Sequence, residues 1–170
     1  KTTYKVEGAY RFKELGTRIH SAHATGFRAP SINDLFWPGF GNQNLKPEES
    51  KSWEVGVDQA FFTDSLHAGI TYFDSKLDNL IQFDSATFLP QNIGKATSKG
   101  TETYIKVQPV KTLGLSMNHT WNDALDENGH PLRRRPEHKF TANIDHNLND
   151  KLSSLIGVTY KSGIKDGRYD

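Results

Sequence analysis

Apolar and polar residues alternate with a period of two in stretch after stretch of this chain. Tyr4, Val6, Tyr10 and Phe12 fall on one side of the first stretch, with Lys5, Glu7 and Arg11 on the other. The pattern returns at Trp53, Val55, Val57 and Phe61, at Ala68, Ile70 and Tyr72, and at Thr103, Ile105 and Val107. It returns again at Leu113, Leu115, Met117 and Trp121, at Phe140, Ala142 and Ile144, and at Ile156, Val158 and Tyr160. A weaker stretch over 17–24 has Ile19 as its only large apolar residue. Successive side chains of a strand point to opposite faces, so this alternation predicts strands, each with one apolar face. It predicts eight of them, most about ten residues long, enough to cross a bilayer core when tilted. No stretch sustains the i, i+3, i+4, i+7 pattern of an amphipathic helix.

The connections sort by length. Short turns are expected near 13–16, 63–65, 109–112 and 147–151, and long loops near 26–49, 77–91 and 122–136. Short and long alternate strictly. An antiparallel up-and-down meander therefore carries all its tight turns at one end and all its long loops at the other. Outer-membrane barrels have this asymmetry, whereas Greek-key sandwiches mix their connection lengths. The polar faces carry Gly69, Thr71, Gly114, Ser116, Asn118, Thr120, Thr141 and Asn143, small and neutral where a solvated surface would carry Lys and Glu. Aromatic residues near strand ends (Tyr10, Phe12, Trp53, Phe61, Tyr72, Trp121, Phe140 and Tyr160) suit interfacial girdles.

Composition changes this picture in three places. At 170 residues and a mean hydropathy of −0.67, the chain has no apolar run long enough for a transmembrane helix, but a barrel hides its apolar residues at alternate positions. A formal charge of +1 argues against a dedicated nucleic-acid binder. The absence of cysteine excludes a disulfide framework, a thiolate metal site and a Cys nucleophile. The chain opens on Lys1 with no Met or leader, which fits either a removed leader or a piece of something longer.

Catalytic signatures are missing from the sequence: no H-E-x-x-H, G-x-S-x-G, Walker loop or G-x-G-x-x-G occurs. The seven histidines are scattered, and His20 and His23, three apart on a strand, fall on opposite faces. Asp126-Glu127-Asn128-Gly129 is reminiscent of a calcium loop. Aligning Gly129 to the sixth position puts Ala124 and Arg135 at the end ligands, so it reads as a plain turn. No catalytic residue, no metal site and no cofactor is expected, and the chain does not read as an enzyme.

The stretch Gly26-Phe27-Arg28-Ala29-Pro30-Ser31-Ile32-Asn33-Asp34-Leu35-Phe36 runs on to Gly41-Asn42-Gln43-Asn44-Leu45-Lys46-Pro47-Glu48-Glu49-Ser50 and then Trp53-Glu54-Val55-Gly56. Further on come Asn92-Ile93-Gly94-Lys95-Ala96, Lys99-Gly100-Thr101-Glu102 and Leu132-Arg133-Arg134-Arg135-Pro136. In this order, these segments resemble the TonB-dependent outer-membrane receptor family, most of all its cobalamin branch and next its siderophore branch. Most of the matched residues read as scaffold: Pro30 and Pro47 fix φ, and Gly41-Asn42 is turn chemistry.

The resemblance implies a sector of a larger transmembrane β-barrel of roughly 22 strands with a plugged lumen. It implies binding and import of a scarce metal chelate, cobalamin or a ferric siderophore, in the bacterial outer membrane. Energy would come from TonB through an N-terminal region that this sequence does not contain, and lipid and lipopolysaccharide would surround the wall. The expected ligand contacts are loop side chains: Phe36, Trp37, Phe40, Asn42 and Gln43 in the first long loop, Phe83 and Phe88 in the second. Arg133, Arg134 and Arg135 suit anionic siderophores or lipopolysaccharide phosphates. Two rival architectures stay open: a complete eight-stranded barrel with a structural or adhesion role, in which the last strand pairs with the first, and a soluble β-sandwich binding module. An eight-stranded sector would leave two bare edges, which lipid penalises, so a longer parent chain or covered edges are expected.

Overall fold

A computed structural model describes residues 2–62 and 65–165. Eight strands form one antiparallel sheet in the order β1-β2-β3-β4-β5-β6-β7-β8. They are β1 (Lys5–Phe12), β2 (Thr17–Arg28), β3 (Glu48–Phe61), β4 (Leu66–Asp84), β5 (Leu89–Val110), β6 (Leu113–Asp126), β7 (His138–Asn149) and β8 (Leu152–Ser162). One short helix, α1 (Ile32–Phe36), lies between β2 and β3. The fold class is the expected all-β meander. β1 and β8 are the two edges and do not pair, so the closed eight-stranded barrel is not the structure. The sandwich fails as well, because there is a single sheet and almost no interior. The buried apolar residues are Ala22, Leu45, Ala96, Ala124 and Leu132, and no large side chain is fully buried among the described residues.

Register carries the sequence alternation across the sheet. Ile19 pairs with Val57, Val57 with Ile70, Ile70 with Thr103, Thr103 with His119, His119 with Phe140 and Phe140 with Tyr160. The neighbouring row toward the turns holds Ala68, Ile105, Met117, Ala142 and Val158. One face is thus mainly apolar, interrupted in this row by Thr103 and His119. Its upper edge drifts down the ladder, from Val6 on β1 and Trp53 on β3 to Tyr72 on β4 and Phe140 and Tyr160 on β7 and β8. A level band crossing tilted strands must drift in this way. Aromatics mark the edges: Trp53 packs on Tyr72 at 5.3 Å above, Tyr10 on Phe12 at 4.7 Å toward the turns.

The opposite face is small and polar. Asp58 accepts hydrogen bonds from Arg18 Nη1 (2.8 Å) and Tyr104 Oη (2.9 Å), with His20 at 3.7 Å. Tyr104 reaches Asp58 across β4 because Gly69, between them in the ladder, leaves the space its ring occupies.

The turns are tight where the sequence put them. Lys13–Leu15 form one 3-10 turn closed by Gly16 in the left-handed region (φ 65°), where a Cβ would also meet the Ala60 carbonyl. Within the 63–65 turn, Thr63 and Asp64 lie outside the described residues.

The long connections are shorter than expected. Gly26–Arg28 and Glu48–Glu49 are paired strand, which narrows the first to 29–47. Strand β6 continues to Asp126, which narrows the third to 127–137. The largest correction is at 77–91. It is not a loop but a ribbon: the β4–β5 ladder runs on through Leu80↔Ile93 to Asp84↔Leu89, and only 85–88 turn. Asp, Asn and Pro are residue types that favour turns. In the fold Asn79 takes φ 57° inside the strand, and Pro90 sits one residue into β5, where a missing N–H costs little.

Candidate functional site at the loop end

The three long connections meet around the ribbon. Its tip is fixed by Asp84, which accepts from the Ala86 amide (3.1 Å) and the Thr87 hydroxyl (2.7 Å), and by Phe83 against Phe88, edge to face at 6.3 Å. At its base, Glu48 is nearly buried. It accepts two hydrogen bonds from Arg28 (2.6 and 2.5 Å) and one from the Ile81 amide (2.8 Å). One side chain thus ties β2, β3 and β4 together where the wall becomes loop.

The first loop is laid onto the ribbon by two asparagines. Asn92 donates to the carbonyls of Lys46 (3.0 Å) and Asn79 (2.6 Å) and accepts from the Lys46 amide (2.8 Å). Asn42 donates to the Pro90 carbonyl (2.9 Å) and accepts from the Asn44 amide (3.0 Å). Between them Leu45 is buried. Helix α1 opens with a capping box: Ser31 accepts from the Asp34 amide (3.1 Å) and Asp34 from the Ser31 amide (2.9 Å). Those hydrogen bonds from Ser31 hold the Asp34 carboxyl below its usual range, outweighing its slight burial. The third loop folds onto the other side. Leu132 donates its amide to the Ala124 carbonyl (2.8 Å) and buries itself on Ala96 and Ala124, with Leu77, Leu80 and Ile93 around it.

Between ribbon and third loop lies an open cleft of about 560 Å³, lined among others by Gln82, Phe83, Gln91, His130 and Arg133. The residues expected from sequence divide. Phe83 lines the cleft, and Phe88 packs against it at the ribbon tip. Asn42 is a structural latch, its amide committed to Pro90 and Asn44. Phe36, Trp37, Phe40 and Gln43 stand exposed on the first loop, away from the cleft lining. Gln82, Gln91 and His130 were not singled out in the sequence. The alternation of Ile81 and Phe83 with Gln82 and Asp84 is a strand signal for Gln82, and no local pattern marks His130. Arg133, the first of the arginine run, does reach the cleft.

The comparisons with known proteins agree with this architecture. Residues 1–170 match the family model described as TonB dependent receptor-like, beta-barrel. Among curated proteins, the chain is 36% identical over 108 residues to the vitamin B12 transporter BtuB of Photobacterium profundum, covering 59% of this chain and 17% of that protein. It is 31% identical over 145 residues to BtuB of Vibrio cholerae, covering 84% and 23%. The chain therefore spans less than a quarter of the length of these relatives. Among solved structures, the siderophore receptor PirA of Pseudomonas aeruginosa superimposes with a TM-score of 0.71 at 23% identity, over 95% of this chain and 30% of that one. A variant of the ferric enterobactin receptor PfeA of the same organism, solved with enterobactin, gives 0.73 at 21% identity, over 94% and 28%. With its whole length matched and its sheet an unclosed run of the same meander, the chain belongs to the TonB-dependent receptor β-barrel family.

Proposed function

We propose that this chain is part of an outer-membrane receptor that binds a scarce metal chelate at its loop end and imports it with energy transmitted by TonB. Cobalamin is the first candidate and a ferric siderophore the second. The observation that carries the reading is the bracing of the loop end. Two connections are pinned to one ribbon and leave a cleft with amide, imidazole, guanidinium and aromatic groups facing into it. A large polar chelate is held by such a surface, where Phe83, Ile93 and Leu132 give apolar contact and the amide, carboxylate, imidazole and guanidinium groups give hydrogen bonds. Preference for cobalamin rests on the curated relatives, both named as vitamin B12 transporters.

On this reading the apolar face meets lipid, the small polar face lines the lumen, and the loop end faces outward. The wall supplies no chemistry to the cargo. It holds the loops at fixed spacing, and TonB acts through other parts of the receptor. The exposed Phe36, Trp37, Phe40 and Gln43 would meet the chelate from the first loop.

The test is uptake of labelled cobalamin, and separately of a labelled ferric siderophore, by cells whose full-length receptor lacks residues 33–44. Loss of affinity for one of the two assigns the cargo and the loop together. Unchanged affinity and uptake of both removes the first loop from the site.

A further inference from the structure

Outside the cleft, one pair of side chains has a geometry that neither the fold nor the transport reading uses. His119 on β6 and His138 on β7 lie on the apolar face as diagonal neighbours: His119 pairs with Phe140, and His138 with Trp121. His119 Nε2 is 3.1 Å from His138 Nδ1, the ring centroids are 5.4 Å apart, and the planes differ by 13°. A centroid separation that exceeds the nitrogen separation by so much means that the rings meet edge to edge. The two nitrogens lie on the line between centres, so their in-plane directions point at each other across the gap, as in an N–H···N hydrogen bond.

Glu137 Oε1 stands 3.8 Å from His138 Nε2, beyond hydrogen-bond distance, and its charge favours the tautomer with the proton on that nitrogen, which leaves Nδ1 to accept from His119. In the hydrogen-bonded form His119 donates from Nε2. If its proton moves to Nδ1, both facing nitrogens present lone pairs to the gap between the rings, and no net proton is lost. The place is also accessible. His138 is the first residue of β7, one step beyond Phe140 at the edge of the apolar band, and its side chain is 45% exposed.

We propose that His119 and His138 form a two-imidazole site on the outer face of the wall for a borderline divalent cation: copper(II), nickel(II) or zinc(II). Imidazole suits these ions, while calcium and magnesium prefer oxygen donors. Metal–nitrogen distances of about 2.0–2.1 Å keep the two nitrogens near their present 3.1 Å when the ion sits beside the line between them, and each ring then turns by roughly 40° to aim its lone pair at the ion. Solvent completes the coordination at the rim, and Glu137 acts as a positioning residue on the far nitrogen of His138.

The experiment uses the full-length receptor carrying this segment, purified in detergent, stripped with a chelator and titrated with each of the three ions by calorimetry. Wild type is expected to bind one more equivalent than the His119→Gln/His138→Gln double variant. With copper(II), its electron paramagnetic resonance spectrum should show two coupled nitrogens that fall to one in either single variant. Glu137→Gln, which keeps both imidazoles, should weaken binding about tenfold. The single variants and Glu137→Gln keep the test valid should the double variant assemble poorly. Equal stoichiometry and equal spectra in wild type and both single variants overturn the proposal.

Discussion

Around Ile70 in the wall, strands meet through backbone pairing, and the side chain needs only to be apolar and face the right way. Around Asn92 in the ribbon, one side chain meets three backbone groups from two other segments, and no apolar residue can replace it. The wall is held by many interchangeable contacts, the loop end by a few that are not. A barrel family can then keep one wall while its loops diverge, because the specific bonds that shape the binding surface are few and local. The same division explains where small residues matter: in the wall it is their absence of side chain that is specific.

Substitutions at five positions and one pH titration sharpen that contrast. The largest effect is expected in the wall. A side chain at Gly100 would run into the Trp121 carbonyl oxygen on the paired strand, a contact that neither backbone can relieve without shifting. Gly100→Val should cost about 3 kcal/mol or more and be read as loss of heat-modifiable barrel migration. Ile70→Val on the exposed apolar face of the same wall should change stability by no more than about 0.5 kcal/mol. Equal effects would show that wall contacts are not interchangeable.

At the junction of wall and loops, Glu48→Ala leaves the Arg28 guanidinium and the Ile81 amide without their carboxylate. It should cost about 1.5–3 kcal/mol in denaturant unfolding. Glu48→Gln, which still accepts from Ile81, should recover part of it. In the ribbon, Asn92→Ala should cost about 1–2 kcal/mol and release the first loop. Hydrogen exchange at the Lys46 amide is the direct readout, and unchanged protection there would mean that Asn92 is not the latch.

The smallest effect is at α1. The Asp34 carboxyl is held below its usual range by Ser31. The folded-state pKa is therefore lower than the unfolded one. The stabilisation is complete above the ordinary carboxylate range and lost as pH falls through the lowered folded value. Helical shifts of α1 in an NMR titration should hold at neutral pH and fade only in strong acid. Ser31→Ala should cost about 1 kcal/mol and weaken that acid dependence, the remainder coming from the amide of residue 31 that still reaches Asp34.

Strand number, antiparallel order, turn positions and the apolar face were all legible in the sequence. Each rests on a local signal: period-two alternation or a short polar turn such as Lys13–Gly16. The ribbon was misread for a physical reason. Asn79 and Pro90 carry turn chemistry by type, and only pairing with the opposite strand makes them ladder residues. Asn42 was legible as important but not as a latch, since its partner Pro90 lies 48 residues away. The cleft was invisible, because its lining comes from two connections brought together by the packing of Leu132 on Ala96 and Ala124.

By itself, then, the amino-acid order determined a meander with one apolar and one small polar face, since alternation and turn residues act over a few positions. Tertiary structure alone decided that β1 and β8 do not pair with each other, that β4 and β5 rise beyond the wall, and that His119 faces His138. Those outcomes depend on register between distant strands, and register is a property of pairs of segments that no single segment carries.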